Sequence, residues 1–524
     1  MKPEASSSSS TTTTVFLDGS PLTLADVERV ARAGHRVELQ ANALAHLDRV
    51  RQAVETHADG KTSVYGINTG FGSLSRVRIQ PHQVVEVQRN LIRSHAAGVG
   101  SYLEDDVVRA MLLILAASLM RGHSGVRSQL VQRIADLLNS PLVPCVPSRG
   151  SVGASGDLAP LAHAALVLIG EGFVFDRSRS EHPRNTPVAT GDVFVEHGLR
   201  PIELAAKEGL ALINGTHMMA AIAALALCDV DRIVSAGIAS ATLAIDACLG
   251  SDEPLDPRIH QVRGQHGQTS VATQMRELLA GSQMVSSHKD EDPRVQDPYC
   301  LRASPQVLGA VVDSLNQTRL IVERELAAVT DNPLVFCDDP ADPASTSFLT
   351  GANFHGMPLA IAIDHLKIAL VHLAGIAERR INWLLTASDS ENPVNLYLSP
   401  KPGLHSGMMI VQYTAAACCN ELHTLAAPAS IHNIPTSAGI EDYNSMGTTA
   451  AHQLRSSVGL CRSVIAMELL VMAEAIEYHR PMRSSPPLEA LHAAIRKRVS
   501  RLTEDRSPAP DIAAIEQLID HWAD

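Results

Sequence analysis

Ser148-Arg149-Gly150-Ser151-Val152-Gly153-Ala154-Ser155-Gly156-Asp157-Leu158-Ala159-Pro160-Leu161-Ala162-His163 is the stretch on which the reading of this chain turns. Its centre, Ala154-Ser155-Gly156, can cyclise on itself. Gly156 has no side chain to keep its backbone nitrogen from the Ala154 carbonyl carbon, and glycine tolerates the geometry of so close an approach. Loss of two waters then turns Ser155 into an exocyclic methylene on a five-membered imidazolone ring. That group is a strong acceptor for amines, and no unmodified side chain supplies one. Taken alone the tripeptide is a weak signal, because small residues meet by chance and read equally well as a tight turn before a helix.

Five further stretches accompany it. They are Tyr65-Gly66-Ile67-Asn68-Thr69-Gly70-Phe71-Gly72, Leu210-Ala211-Leu212-Ile213-Asn214-Gly215-Thr216 and Gln296-Asp297-Pro298-Tyr299-Cys300-Leu301-Arg302. Gly351-Ala352-Asn353-Phe354-His355-Gly356 follows, then Gly403 to Met409 with its continuation to Glu441. Together with 148–163 they resemble the aromatic amino-acid and histidine ammonia-lyase family from about Ser63 to Gly447, with the histidine branch nearest.

The resemblance implies that Ala154-Ser155-Gly156 matures autocatalytically to 4-methylideneimidazole-5-one, MIO. It implies a mainly α fold, with a long central helical bundle of the fumarase/aspartase-like superfamily and a smaller mixed N-terminal domain bearing the MIO segment. The flexible Ser-containing loop that marks the fumarase/aspartase enzymes themselves is not found. The resemblance also implies a homotetramer whose active sites are each lined by three chains, with Ser155 and Tyr65 from different subunits.

Eliminating ammonia from an α-amino acid requires removal of a weakly acidic β-proton and expulsion of a poor leaving group. Capture of the amine by an electrophile improves the leaving group. By match to the family, Tyr65 is the base, and its ordinary pKa of about 10 must be lowered by nearby donors or positive field. Asn214 orients the carbonyl of the prosthetic group, Tyr299 assists proton handling and Gln296 supports the site. Arg302 suits the substrate carboxylate, since a guanidinium offers a two-pronged match; a surface salt bridge is its alternative role. Phe354 packs near the electrophile or the substrate ring, or is plain core.

Substrate choice falls on His95 and Glu441. Leu91-Ile92-Arg93-Ser94-His95-Ala96-Ala97-Gly98 resembles a histidase stretch with a Ser-His pair, which some tyrosine lyases and aminomutases share. Histidases carry glutamate at the position of Glu441, whereas phenylalanine and tyrosine lyases carry glutamine. A carboxylate holds an imidazole by a charge-assisted hydrogen bond and is poorly matched to a benzene ring. Three departures cut the other way: Ile440, His405, and Asn392-Pro393-Val394-Asn395-Leu396-Tyr397. The expected reaction is L-histidine to trans-urocanate and ammonia. A tyrosine ammonia-lyase or tyrosine 2,3-aminomutase is the alternative, and a helical scaffold whose tripeptide never cyclises is the non-enzymatic one.

Composition agrees with this. The chain has 524 residues, 45% of them hydrophobic but only 3% aromatic, which suits an Ala/Leu/Ile/Val interior of closely packed helices. A net charge of −13 argues against nucleic-acid binding. The eight cysteines show no CxxC pair and read as reduced residues of a cytoplasmic protein. Twenty-three scattered histidines form no metal-ligand pattern. No signal peptide is visible, and Met111 to Met120 is too short for a bilayer span of about 20 residues.

Along the chain, residues 1–16 read as a disordered Ser/Thr-rich tail, 17–200 as the N-terminal domain that carries the tripeptide, 201–483 as the long-helix bundle, and 484–524 as a polar segment with a short helix. The polar, proline-punctuated stretch 177–191 is a candidate boundary. A short strand within Val15 to Thr23 precedes a helix from about Leu24. Helices are expected over Glu104 to Gly122, Leu158 to Ile169, Leu210 to Leu249, Pro305 to Val329, Pro358 to Leu385, Gly407 to Leu425, Ser445 to His479 and Ile512 to Trp522. Asp157 is expected to start the Leu158 helix, where the helix dipole favours negative charge.

Overall fold

In the computed structural model, residues 14–58, 64, 66–69, 78–179, 186–289, 292–337, 339 and 345–522 are described. The expected tail up to residue 13, Tyr65 and Gly70-Phe71-Gly72 lie outside them. Among the described residues there are nineteen α-helices and nine strands. The strands form four small sheets of two or three members, so the architecture is mainly α.

The chain divides into two compact units. One comprises Met1–Leu225, Ile321–Ile361 and Ala429–Ala451; the other comprises Ala226–Leu320, Ala362–Pro428 and His452–Asp524. In the first, Thr14–Leu17 pairs in parallel with Arg36–Leu39. The strand begins within the segment expected to be tail because Val15 and Leu17 are buried. Thr23 then caps the helix Leu24–Ala31 in a reciprocal box with Asp26, an arrangement that contributes about 1 kcal/mol.

Helix Asp105–Leu119 is buried almost continuously from Val107 to Leu119, which makes it the centre of this unit. It packs between Leu24–Ala31 and Ser128–Leu138. Beside these lies a second group that matters for chemistry. Helices Val84–His95, Leu158–Leu168 and Glu208–Ile213 all pack on one another. Thus the helix ending in His95, the helix that follows the tripeptide, and the helix ending at Asn214 form one cluster. The stretch 177–191 lies inside this unit, with Phe173–Asp176 and Val188–Ala189 paired as strands.

In the second unit, long apolar helices pack closely. A Cβ on Gly237 would lie 3.0 Å from Leu373 Cδ1 and 3.5 Å from Ile465 Cδ1. Arg380 is fully buried and pairs with fully buried Glu468, with one of its bonds at 3.1 Å. It also donates to the Cys300 carbonyl at 3.3 Å and to Ser304 Oγ at 3.2 Å, which fixes the segment between Tyr299 and Ser304. Helix Met357–Leu385 is long and apolar enough to cross a membrane, and 61% of its most apolar window is buried, as in a core helix. All eight cysteines are free thiols, with Cys145, Cys248, Cys419 and Cys461 buried.

Two helix expectations are revised. Leu210 to Leu249 is two helices, Glu208–Ile213 and His217–Ala247. They are interrupted because the backbone at 215 pairs with that at 155–157 instead of continuing the helical ladder. Within the segment read as polar and proline-containing lies helix Pro486–Arg496, capped by Ser485 and burying Leu488, His492 and Ile495. Proline at the first helical positions is an initiator, because the N–H it lacks has no partner there anyway.

Candidate active site

The tripeptide sits in the loop between strand Pro147–Arg149 and helix Leu158–Leu168. Its backbone is held against 214–216: the Asp157 N–H donates to the Gly215 carbonyl at 2.8 Å, and the Gly215 N–H donates to the Ser155 carbonyl at 3.3 Å. Gly156 has φ +77°, and a Cβ there would lie 2.1 Å from the Gly215 oxygen. No other residue fits without moving backbone.

Asp157 is fully buried and stands at the N-cap position of the Leu158 helix, yet its side chain makes no cap bond there. It does start its own helix, its carbonyl accepting the Leu161 N–H at 3.1 Å, but its side chain serves another one. Its Oδ2 accepts the N–H groups of Met218 and Met219, at 3.0 and 2.9 Å, and so caps helix His217–Ala247. Its Oδ1 accepts from Ser151 Oγ and Thr448 Oγ1, both at 2.9 Å. Burial raises the carboxyl pKa, against the pull of these four bonds.

Asn214, also buried, donates from Nδ2 to the Asn332 carbonyl at 3.2 Å, while its Oδ1 is buried with no partner among the described residues. Next to it, Thr216 Oγ1 donates to Glu325, and burial raises the Glu325 pKa. Glu441 approaches from the other side. One carboxylate oxygen accepts from Ser155 Oγ at 3.1 Å and the other from Thr436 Oγ1 at 3.0 Å. Backbone bonds between Thr436 and Glu441 close the short loop that aims it. Ile440, just before it, is 64% exposed.

His95 ends helix Val84–His95, half-buried. Its Nδ1 lies 2.8 Å from the Leu91 carbonyl, which can only accept, so Nδ1 is the donor there. Phe354 is half-buried next to His355, whose Nε2 donates to the Tyr443 carbonyl at 2.8 Å. That bond joins the Phe354 loop to the segment after Glu441.

Gln296, Tyr299 and Arg302 belong to the other unit. Gln296 and Arg302 line a cavity of about 750 Å³ together with His288, Lys289 and Asp297. The Arg302 guanidinium lies over the Tyr299 ring, 4.5 Å from its centroid, and its Nε is buried with no partner among the described residues. Among the described residues Arg302 makes no ion pair. Tyr299 is 74% exposed. His405 engages the C-terminal segment: its Nδ1 accepts the Asp505 N–H at 3.2 Å, and the Asp505 carboxylate accepts the N–H groups of Ser406 and Gly407 at 2.7 and 3.0 Å. Those bonds lower the Asp505 pKa.

Sequence reasoning passed over Ser151, Thr448, Lys207, Asp331 and Asn332. Lys207-Glu208, a charged pair opening the apolar run Gly209 to Ile213, was the one available signal, since charge there must find a buried partner. Among the described residues no cluster of three or more His, Cys, Asp or Glu could hold a metal ion.

The aromatic amino acid lyase family profile matches residues 22–497. A histidine ammonia-lyase of Sorangium cellulosum is 44% identical over 511 residues, 97% of this chain and 98% of that protein. The crystal structure of histidine ammonia-lyase from Trypanosoma cruzi superposes with a TM-score of 0.88 at 35% identity, covering 97% of this chain and 94% of that one. Tyrosine aminomutase from Streptomyces globisporus gives a TM-score of 0.88 at 36% identity, covering 97% of each chain. A mainly α chain with these features and these relatives belongs to the aromatic amino acid lyase family. It is a carbon–nitrogen lyase.

Proposed function

We propose that this lyase takes L-histidine, releases ammonia and forms trans-urocanate, using MIO made from its own Ala154-Ser155-Gly156. The observation that carries the substrate assignment is the Glu441 carboxylate 3.1 Å from Ser155 Oγ. It puts a fixed negative charge beside the reacting centre, where an imidazole N–H is bound well and a hydrocarbon ring is not. The 44% identical histidine ammonia-lyase supports the same choice.

The residues around the tripeptide fit the prosthetic group. Among the described residues the Gly156 N–H makes no hydrogen bond, so the nitrogen that must attack Ala154 is uncommitted. The cradle around Gly156 admits no Cβ, and Asn214, whose neighbour Gly215 pairs with the loop, has a buried Oδ1 with no partner among the described residues. When formed, the group supplies an electron-poor methylidene carbon that takes up the substrate amine.

The protein side chains then divide the remaining work. Glu441 holds the imidazole, assisted by His95 at the end of helix Val84–His95. Arg302 receives the substrate carboxylate, its unpartnered Nε supporting that role, with Gln296 beside it on the same cavity. Tyr65 removes the β-proton, and Tyr299, under the positive field of the Arg302 guanidinium, assists proton transfer. Phe354 packs near the substrate. The exposure of Tyr299 supports a homotetramer in which another subunit covers it. Eight free thiols support a cytoplasmic setting.

Purified protein supplied with L-histidine, L-tyrosine or L-phenylalanine tests the proposal. Urocanate and ammonia from histidine, with an intact mass two waters below that of the sequence, is the expected result. Coumarate or a β-amino acid from tyrosine, with silence on histidine, would transfer the assignment to the tyrosine enzymes.

A further inference from the structure

Asn214 rests on a buried support that contains an ion pair. Lys207 is fully buried and immediately precedes helix Glu208–Ile213, with its backbone in the left-handed region at φ 70°. Its Nζ donates to Asp331 Oδ2 at 2.5 Å, and the Asp331 side chain is 3% exposed. Asp331 Oδ1 accepts the Asn332 N–H at 2.6 Å. The Asn332 carbonyl accepts from Asn214 Nδ2, and Asn332 Oδ1 accepts the Gly351 N–H at 2.8 Å.

Helix Glu208–Ile213 connects the two ends of this support. Lys207 is its N-cap and Asn214 its C-cap; the Lys207 carbonyl accepts the Ala211 N–H at 2.9 Å, and the Asn214 N–H reaches the Leu210 carbonyl at 3.0 Å. One dipeptide, Asp331-Asn332, therefore holds the helix at both termini. Gly66, the neighbour of Tyr65, packs on the same support: a Cβ there would lie 2.7 Å from Leu210 Cδ2 and 3.4 Å from Pro333 Cδ. Glu208 is also buried and is satisfied separately, by Arg127 and by the Ala205 N–H.

A fully buried ion pair is a poor device for stability, since well-packed apolar replacements do as well or better. What it does impose is direction, because a short charge-assisted bond tolerates little angular freedom. We propose that Lys207 and Asp331 are positioning residues for the reaction: their pair sets the Asn332 carbonyl, and that carbonyl sets the carboxamide of Asn214. This rests on the reading of Asn214 as a group facing the prosthetic group. Neither Lys207 nor Asp331 touches substrate.

The test compares Lys207→Met/Asp331→Leu and Lys207→Arg with Asn214→Ala, measuring kcat, KM, intact mass and the near-ultraviolet band of the prosthetic group. The double replacement removes both buried charges together, so it is expected to fold. Its kcat falls about 100-fold, as expected for misplacement of a catalytic group by about 1 Å. Its KM changes less than about threefold, its mass still shows the loss of two waters, and its near-ultraviolet band is displaced. Lys207→Arg, which keeps the charge opposite Asp331, recovers part of kcat. A folded double variant with wild-type kcat and an unmoved band overturns the proposal. If the double variant does not fold, Asp331→Glu decides, since it keeps the charge but shifts it by one methylene. A similar drop in kcat supports positioning, and wild-type kcat refutes it. Unchanged kcat in Asn214→Ala would instead sink the reading of the site itself, whatever the pair does.

Discussion

Asp157 caps a helix that is not its own: its carboxylate accepts the N–H of Met218, 61 residues further along the chain, at 3.0 Å. The same carboxylate takes the Met219 N–H and the hydroxyls of Ser151 and Thr448. One buried side chain thereby sets the tripeptide loop against the start of helix His217–Ala247.

The four donors make replacements of Asp157 unequal. Asparagine keeps one oxygen for the two backbone N–H groups and turns its NH₂ to the two hydroxyls, which can rotate to accept. Alanine leaves the Met218 and Met219 N–H groups buried without an acceptor, while the Thr448 and Ser151 hydroxyls can still donate to Ser151 Oγ and the Gly156 carbonyl. Asp157→Ala should cost about 2–4 kcal/mol and Asp157→Asn about 1 kcal/mol, on the scale of unsatisfied buried donors. Unfolding midpoints of the two variants, measured side by side, check the order.

Gly156→Ala tests the cradle. Its Cβ would fall 2.1 Å from a backbone oxygen, so the loop must move before the nitrogen of residue 156 can reach the Ala154 carbonyl. The variant should retain its full sequence mass and lack the additional near-ultraviolet absorbance of the prosthetic group. A variant two waters lighter than its sequence would show that the fit around Gly156 does not govern cyclisation.

Glu441→Gln separates charge from shape. The amide can accept from one of the Ser155 and Thr436 hydroxyls through its single oxygen and donate to the other through its NH₂, but it carries no charge for the imidazole. Loss of a charge-assisted bond predicts a fall of about 10- to 100-fold in kcat/KM for histidine. Steady-state kinetics that match the wild type would remove Glu441 from substrate recognition.

His217 bears on acid stability. It is 3% exposed, both ring nitrogens lack a partner among the described residues, and burial, with Arg121 nearby, holds its pKa down at about 3. An unfolded histidine titrates at about 6.5. Below that pH the unfolded chain binds a proton that the folded chain refuses, so stability is present above about 6.5 and is lost as pH falls toward about 3, at up to about 1.4 kcal/mol per pH unit. His217→Leu removes this term and leaves no polar partner behind. Its unfolding free energy should fall less steeply than that of the wild type between pH 6 and pH 4, values chosen to lie within the window of about 3 to 6.5. Parallel slopes would show that His217 is not titrated on unfolding.

Properties that depend on neighbours in the chain were legible from the sequence. The capacity of Ala154-Ser155-Gly156 to cyclise is covalent chemistry, and the apolar runs that became Asp105–Leu119, Leu158–Leu168, Ser304–Leu326 and Met357–Leu385 carry their own hydrogen-bonding partners within a few residues. The order of the motifs made the family legible as well. What depends on remote partners was decided only by tertiary structure. The helical run through Leu210 breaks at 214–216 because the backbone there pairs with the tripeptide loop, and Asp157 serves a distant helix because that helix presents two buried N–H groups to it. The buried Lys207 was placed only by its meeting with Asp331, 124 residues away. Glu441 lies 286 residues from the serine it contacts. A buried donor, acceptor or charge must be satisfied by whatever the folded chain brings within 3 Å or so of it, and that neighbourhood exists only once the helices have packed.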